Sequence, residues 1–265
     1  MSTGIAMDYG DYLHLDRVLD AQTPQPEAPD ELLFIIQHQT SELWMKLVLH
    51  ELDGARRAIA QDRLPEAFKL LARVSRIFEQ LNGAWDVLRT MTPSDYTTFR
   101  EALGQSSGFQ SIQYRLIEFT LGNRDPAKAR MHADRPGDHA RLMAEIDAPS
   151  LYDVTLECAA RQGHALPDAH VNRDRTKPHQ PNDELIRLWQ QVYTSPAEHW
   201  SLYELAEKLV DLEDYFRRWR FNHVTTVERV IGLKRGTGGS SGVGYLKKML
   251  EVELFPDLWR VRTEL

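Results

Sequence analysis

The sequence is poor in several things, and each shortage narrows what the protein can be. Cys158 is the only cysteine, so no internal disulfide can form. Long apolar runs are missing. The longest spans five residues, Leu32 to Ile36, far short of the roughly 20 that cross a bilayer. Alternating apolar and polar runs between turn signals are also missing, so no sheet is expected. There is no basic excess: the formal net charge is −7 and Lys and Arg are spread along the chain, which argues against a nucleic-acid surface. No repeat of fixed period is visible. The opening residues MSTGIAMDYG carry no basic stretch followed by an apolar one, so no secretory leader is expected. With the lone cysteine, this suits a reducing cytoplasm.

What is there points to helices. At 265 residues, 42% hydrophobic and 27% charged, the chain can bury a substantial core. Residues 1–29, broken by Pro24, Pro26 and Pro29, read as an irregular extension. Asp30-Glu31 opens a helix reaching about Gln61, with Leu33, Ile36, Leu43 and Leu47 as its stripe, and 64–90 repeats the pattern. Thr92-Pro93-Ser94-Asp95 is a fresh helix start: a hydroxyl cap, proline in the first turn, an acid three residues on. Ser106, Ser107 and Gly108 interrupt the pattern and Phe109 to Leu121 resume it. Residues 123–185 hold six of the thirteen prolines and read as short helices and loops. A long helix from about Ala197 to Ile231 stops at Gly232. The glycine-rich stretch Gly236 to Gly244 and a last helix follow. The expected fold is all-α, one domain over 1–265.

In the long helix, Leu205, Leu209, Leu212, Phe216, Trp219, His223, Val227 and Val230 follow three- and four-residue spacing and form one apolar stripe. His223 in its middle is either a core histidine satisfied by a neighbour or an axial ligand, since a neutral imidazole on an apolar face can donate to haem iron. Phe34 and His38, four apart, share a face offset from the aliphatic stripe and would line a cavity; a histidine paired with Glu42 is the plainer alternative. Tyr96 and Arg100 project together from their short helix, and a guanidinium forks onto a carboxylate with two parallel hydrogen bonds. A surface pair of Arg100 with Asp95 or Glu101 is the alternative there.

Several motifs fail. Gly238-Gly-Ser-Ser-Gly242 matches G-x-S-x-G but follows a helix and a basic turn instead of a strand. The glycine run misses both G-x-G-x-x-G and the Walker sequence, and is best read as a mobile loop able to close over a ligand. None of the ten histidines has Glu three residues before it, and His50-Glu51 is not part of H-E-x-x-H, which excludes the usual di-iron and zinc helices.

Seven segments, taken in order, resemble the tryptophan 2,3-dioxygenase family of bacterial type. They are Tyr9-Gly-Asp-Tyr12-Leu13, Phe34 to Trp44, Thr92 to Arg100, Gly104 to Arg115, Trp219-Arg-Phe-Asn-His223, Ile231 to Gly242, and Phe255-Pro-Asp-Leu-Trp259. The resemblance implies opening of the indole pyrrole ring of L-tryptophan by O2 to N-formyl-L-kynurenine. It implies non-covalent haem b, ferrous for activity, on His223, with Trp219 and Gly108 at the cofactor. Covalent c-type attachment is excluded by the single cysteine. It further implies Arg100 on the substrate carboxylate, Thr237 and a haem propionate on the ammonium, and His38 accepting the indole N–H. Phe34 and Tyr96 would hold the ring, with Ser107 and Gly108 against haem edge and substrate. Tyr9, Tyr12 and Leu13, within the extension 1–29, would come from a neighbouring subunit of a homotetramer.

With an ordinary pKa near 6.5, His38 is too weak to deprotonate indole fully, so positioning is favoured over base catalysis. Two other readings compete. An indoleamine-type dioxygenase of broader substrate range is disfavoured by the distal His38. A non-catalytic haem carrier or gas sensor would leave Arg100 and Tyr96 without a task.

Overall fold

The computed structural model describes residues 8–25, 27–234 and 242–265, and among them there is no strand. The helices are α1 (Tyr9–Leu13), α2 (Leu15–Leu19), α3 (Glu31–Ala60), α4 (Leu64–Leu88), α5 (Pro93–Phe99), α6 (Ile112–Thr120) and α7 (Pro126–Arg130). Then follow α8 (Pro136–Asp147), α9 (Leu151–Arg161), α10 (Asp168–Val171), α11 (Asp183–Thr194), α12 (Trp200–Ile231), α13 (Val243–Met249) and α14 (Pro256–Glu264). The fold is all-α, as the missing alternation predicts.

Three long helices make the frame. On α4 the buried residues Leu64, Ala67, Leu71, Val74, Phe78, Leu81, Trp85 and Leu88 alternate spacings of three and four without a break. On α12, Leu202, Leu205, Leu209, Leu212, Phe216 and Trp219 do the same. Helices striped this way pack along their length. Contacts between them advance together, from Phe78 on Phe216 through Trp85 on Trp219 to Arg89 on Thr226, so α4 and α12 run parallel. His223 falls one turn beyond Trp219 in the same stripe.

Helix α3 folds back on α4 through a tight turn in which Asp62 takes a left-handed conformation (φ 57°) and Arg161 clamps its carboxylate at 2.9 Å. Its stripe follows the predicted one only in part: Leu33 and Leu47 pack half-buried against the core. Met45, Val48, Leu52, Ala55 and Ile59 face the core, whereas Ile36 and Leu43 stay 46% and 56% exposed. α3 carries more apolar residues than one face can bury, so some of them stay outside when it packs on α4.

Other boundaries shift too. The extension is not irregular throughout: α1 starts at the Asp8 cap, whose carboxylate accepts from Asp11 N at 2.8 Å, and α2 follows it. Region 123–185 contains a core helix, α9, whose Leu151, Tyr152, Val154, Leu156 and Cys158 are buried. The last helix is two, because Pro256 restarts the chain as α14. That restart is anchored: Glu213 accepts from the backbone N–H groups of Leu254 (2.7 Å) and Phe255 (3.0 Å), and Asp257 accepts from Tyr152 Oη at 2.9 Å.

Candidate functional site

A cavity opens between α3, α5, α12 and α13, floored by Trp85 of α4 and the turn at Gly108–Gln110. The predicted residues Phe34, His38, Tyr96, Arg100, Ser107, Gly108, Trp219 and His223 all line it. Thr237 lies outside the described residues. Tyr9, Tyr12 and Leu13 do not reach this cavity in their own chain; they stand on α1, 75%, 71% and 39% exposed.

Two histidines face the cavity from opposite helices. Burial, with a smaller contribution from His38 nearby, lowers the pKa of His223 to about 4, so its imidazole is neutral at pH 7. Trp85 stacks on its ring at 5.0 Å and 17°, with Trp219 at 5.4 Å. No side chain or carbonyl among the described residues hydrogen-bonds to it. His38 is held differently. Its Nδ1 lies 2.7 Å from the Phe34 carbonyl, an acceptor, so Nδ1 carries the proton and Nε2 keeps a lone pair. Burial lowers its pKa, only partly offset by the Phe34 carbonyl and by Glu42. The Glu42 carboxylate itself is taken by Gln113 at 2.7 Å, so the pairing with His38 weighed above is not formed as a hydrogen bond.

Phe34 sits 4.1 Å from the His38 ring, with Phe99 at 5.4 Å and Tyr96 at 6.2 Å. Tyr96 and Arg100 are delivered by α5, whose start is fixed by the Thr92–Asp95 capping box that the sequence announces. Arg100 caps the far end of α5, its N–H bonded to Tyr96 O at 3.1 Å. Ser107 caps the 3-10 turn that follows, and beside Gly108 no atom of the described residues stands within 4 Å of where a Cβ would project.

The same sequence occurs, with variation, in known proteins. The family described as tryptophan 2,3-dioxygenase matches residues 1–162 and 185–265. A tryptophan 2,3-dioxygenase of Bradyrhizobium diazoefficiens is 65% identical over 97% of this chain and 92% of its own length. One of Ruegeria pomeroyi is 62% identical over 100% and 95%, and tryptophan 2,3-dioxygenase 1 of Ralstonia nicotianae is 57% identical over 98% and 88%. The chain belongs to the tryptophan 2,3-dioxygenase family.

A family member of this kind needs a haem pocket, and the residues present fit one. Neutral His223 is a competent nitrogen ligand, and Trp85 and Trp219 give it aromatic flanks. Among the described residues, Trp85 Nε1, Arg115 Nε and Arg220 Nε are buried donors without hydrogen-bond partners, and all three residues line the cavity. Unsatisfied buried donors favour an anionic group beside them, such as a carboxylate.

Sequence reasoning missed Trp85, Arg115 and Arg220. Trp85 sits in a stripe otherwise built of core residues, and Arg115 with Glu118 reads as an ordinary i, i+3 surface pair. The structure buries that pair: Glu118 is fully enclosed and takes hydrogen bonds or ion pairs from Arg115, Asn123 (3.0 Å), Tyr114 (3.3 Å), Arg220 (3.4 Å) and Lys128 (3.9 Å). Glu118→Ala would strand the cations in the interior. It is expected to cost about 3–5 kcal/mol of unfolding free energy, read by urea denaturation, with Glu118→Gln intermediate. A loss under 1 kcal/mol would show that water reaches the cluster.

Proposed function

We propose that this chain opens the indole pyrrole ring of L-tryptophan with O2 to give N-formyl-L-kynurenine, on haem b held by His223. One observation carries the reading: a neutral His223 and a His38 with a free Nε2 lone pair share one aromatic cavity with Arg100 and Tyr96. Ferrous haem, when bound, supplies the activation of O2 that protein side chains lack. The protein's own groups bind and orient. Arg100 takes the substrate carboxylate, Thr237 the ammonium, and Phe34 and Tyr96 hold the ring; Ser107 and Gly108 border haem edge and substrate. His38 accepts the indole N–H through Nε2, fixing the C2–C3 bond, and orientation of this kind can lower a barrier by several kcal/mol. A visible spectrum of the purified protein, with and without dithionite and tryptophan, and the appearance of formylkynurenine absorbance test the proposal together. No tryptophan-dependent product from haem-loaded protein would overturn it.

His38 works here as an acceptor, because its burial-lowered pKa makes it a weaker base than free histidine. His38→Ala should then lose one neutral hydrogen bond, roughly two- to tenfold in kcat/KM. The preference for L-tryptophan over 1-methyl-L-tryptophan should collapse with it. A loss of several orders of magnitude would mean that His38 moves a proton after all.

The assembly we propose is a homotetramer of single-domain chains in the cytoplasm, each α1 completing a neighbour's site. Supporting it, Tyr9, Tyr12, Leu32, Ile36 and Leu43 leave apolar surface exposed. Among the described residues no helix is long and apolar enough to cross a membrane. Mixing a chain lacking residues 1–20 with one carrying Arg100→Ala, under subunit exchange, should restore activity. Silence despite proven exchange would return α1 to its own subunit.

A further inference from the structure

Away from the haem cavity, Asp153 of α9, His170 of α10 and His179 of the following loop bring one ligand atom each to within 4.8 Å of one another. None of the three lines the cavity. All are buried, and the two histidine rings stack at 5.6 Å and 20°. His179 Nε2 stands 3.3 Å from Asp153 Oδ1, a close electrostatic contact that falls short of a well-aligned hydrogen bond for this buried ring nitrogen. The segment around them is unusual. Between residues 163 and 184 the buried residues are Pro167, His170 and His179, with Leu166 half-buried against the core, so two imidazoles supply much of what anchors this stretch to the body. Histidines are poor substitutes for an apolar anchor unless something satisfies their nitrogens.

We propose that Asp153, His170 and His179 bind a zinc ion that staples the segment 163–184 to α9. Two imidazoles and a carboxylate are a known zinc donor set, with water completing the tetrahedron. The ligands are in the right protonation states. Burial and the neighbouring His179 lower His170 to about 4, and burial also lowers His179, so both rings are neutral at pH 7. Burial alone would raise Asp153, but His179 and Arg173 more than offset it and keep the carboxylate ionised. The carboxylate is also oriented from behind: its Oδ2 accepts from Ser150 N (2.8 Å) and Ser150 Oγ (2.7 Å), leaving Oδ1 toward the histidines. Oδ1 is at present shared with Arg173, at 2.6 and 3.1 Å. Arg173 is the competitor that a dication must displace, and it has a second anchor at the Lys177 carbonyl, 3.1 Å away. Arg124, which interacts electrostatically with the same groups, adds to the opposing charge. The family description covers the chain up to 162 and from 185, so two of the three ligands lie in the stretch it passes over.

The test uses full-length haem-loaded protein, stripped with a chelating resin and dialysed against zinc chloride, with zinc and iron counted by mass spectrometry. One zinc per chain is expected in addition to haem iron, with slower proteolysis of 163–184 and a raised Tm. His170→Gln and His179→Gln should each weaken zinc binding more than about tenfold, since each removes one of three ligands. Arg173→Ala should strengthen it about tenfold by removing a competing charge beside Oδ1. Should one glutamine variant fail to fold, the other and Arg173→Ala still decide. Zinc that survives both glutamine variants, on a surface pair such as His164 and His199 (rings 4.9 Å apart), overturns the proposal. So does the absence of stoichiometric zinc, or an Arg173→Ala protein that binds no more tightly.

Discussion

His223→Ala should abolish stable haem retention. His223 continues the three- and four-residue spacing of the α12 stripe one turn after Trp219 and is therefore aimed inward by the same geometry that buries leucines. A buried histidine normally finds a hydrogen-bond partner; this one finds an aromatic stack and a cavity, with a pKa near 4 that keeps its lone pair available. Losing a partner that merely supports a ligand costs roughly 10–100-fold in metal affinity, so losing the ligand should exceed about 100-fold. The measurement is haem content after gel filtration together with the ferrous spectrum. His223→Gly should leave a hole beneath Trp85 that free imidazole refills, restoring the spectrum without restoring the covalent tether. If His223→Ala kept full haem and an unchanged spectrum, another histidine would be the ligand.

The frame of the fold could be read in advance where a single period dominates. α4, α5 and α12 were each announced by their stripe or cap, because one buried face and one start signal leave little choice of register. α3 is legible as a helix, but only half of its inner face is: Leu33 and Leu47 pack on the core as expected. Ile36 and Leu43, as apolar as the buried Val48 and Leu52, stay outside, and one-dimensional spacing does not separate the two pairs. The region 123–185 hid α9 because buried Asp153, Thr155 and Cys158 do not look like a core in one dimension, although the Ser150–Asp153 capping box was a usable signal. The candidate site was legible in its special residues and illegible in its supports. Tyr96–Arg100 and Phe34–His38 announce themselves by one-turn spacing, whereas Glu118, Arg115 and Arg220 meet from α6 and α12 across 102 positions of sequence.

Arg100→Ala is expected to weaken L-tryptophan binding roughly tenfold to a hundredfold, since a hydrogen bond to a charged group contributes about 1.5–3 kcal/mol. The side chain stands at the end of α5, whose other end is locked by Thr92 and Asp95 and whose flank packs Tyr96 and Phe99 against Phe34. Such anchoring fixes the backbone that carries Arg100 at the cavity wall with Phe34 and Tyr96, a placement that suits the proposed recognition of a carboxylate beside an indole. Arg100→Lys should recover little, because a single ammonium cannot reproduce the two parallel hydrogen bonds of the fork. Arg100 already makes contacts within the fold, so a general loosening of α5 must be told apart from loss of the carboxylate partner. Tryptamine does this, having the same indole and ammonium and no carboxylate. Its binding should be weak in the parent protein and barely change in Arg100→Ala, so that the two ligands converge in affinity. If tryptamine instead loses as much as tryptophan does, Arg100 acts on the shape of the cavity, and the carboxylate is held by another group.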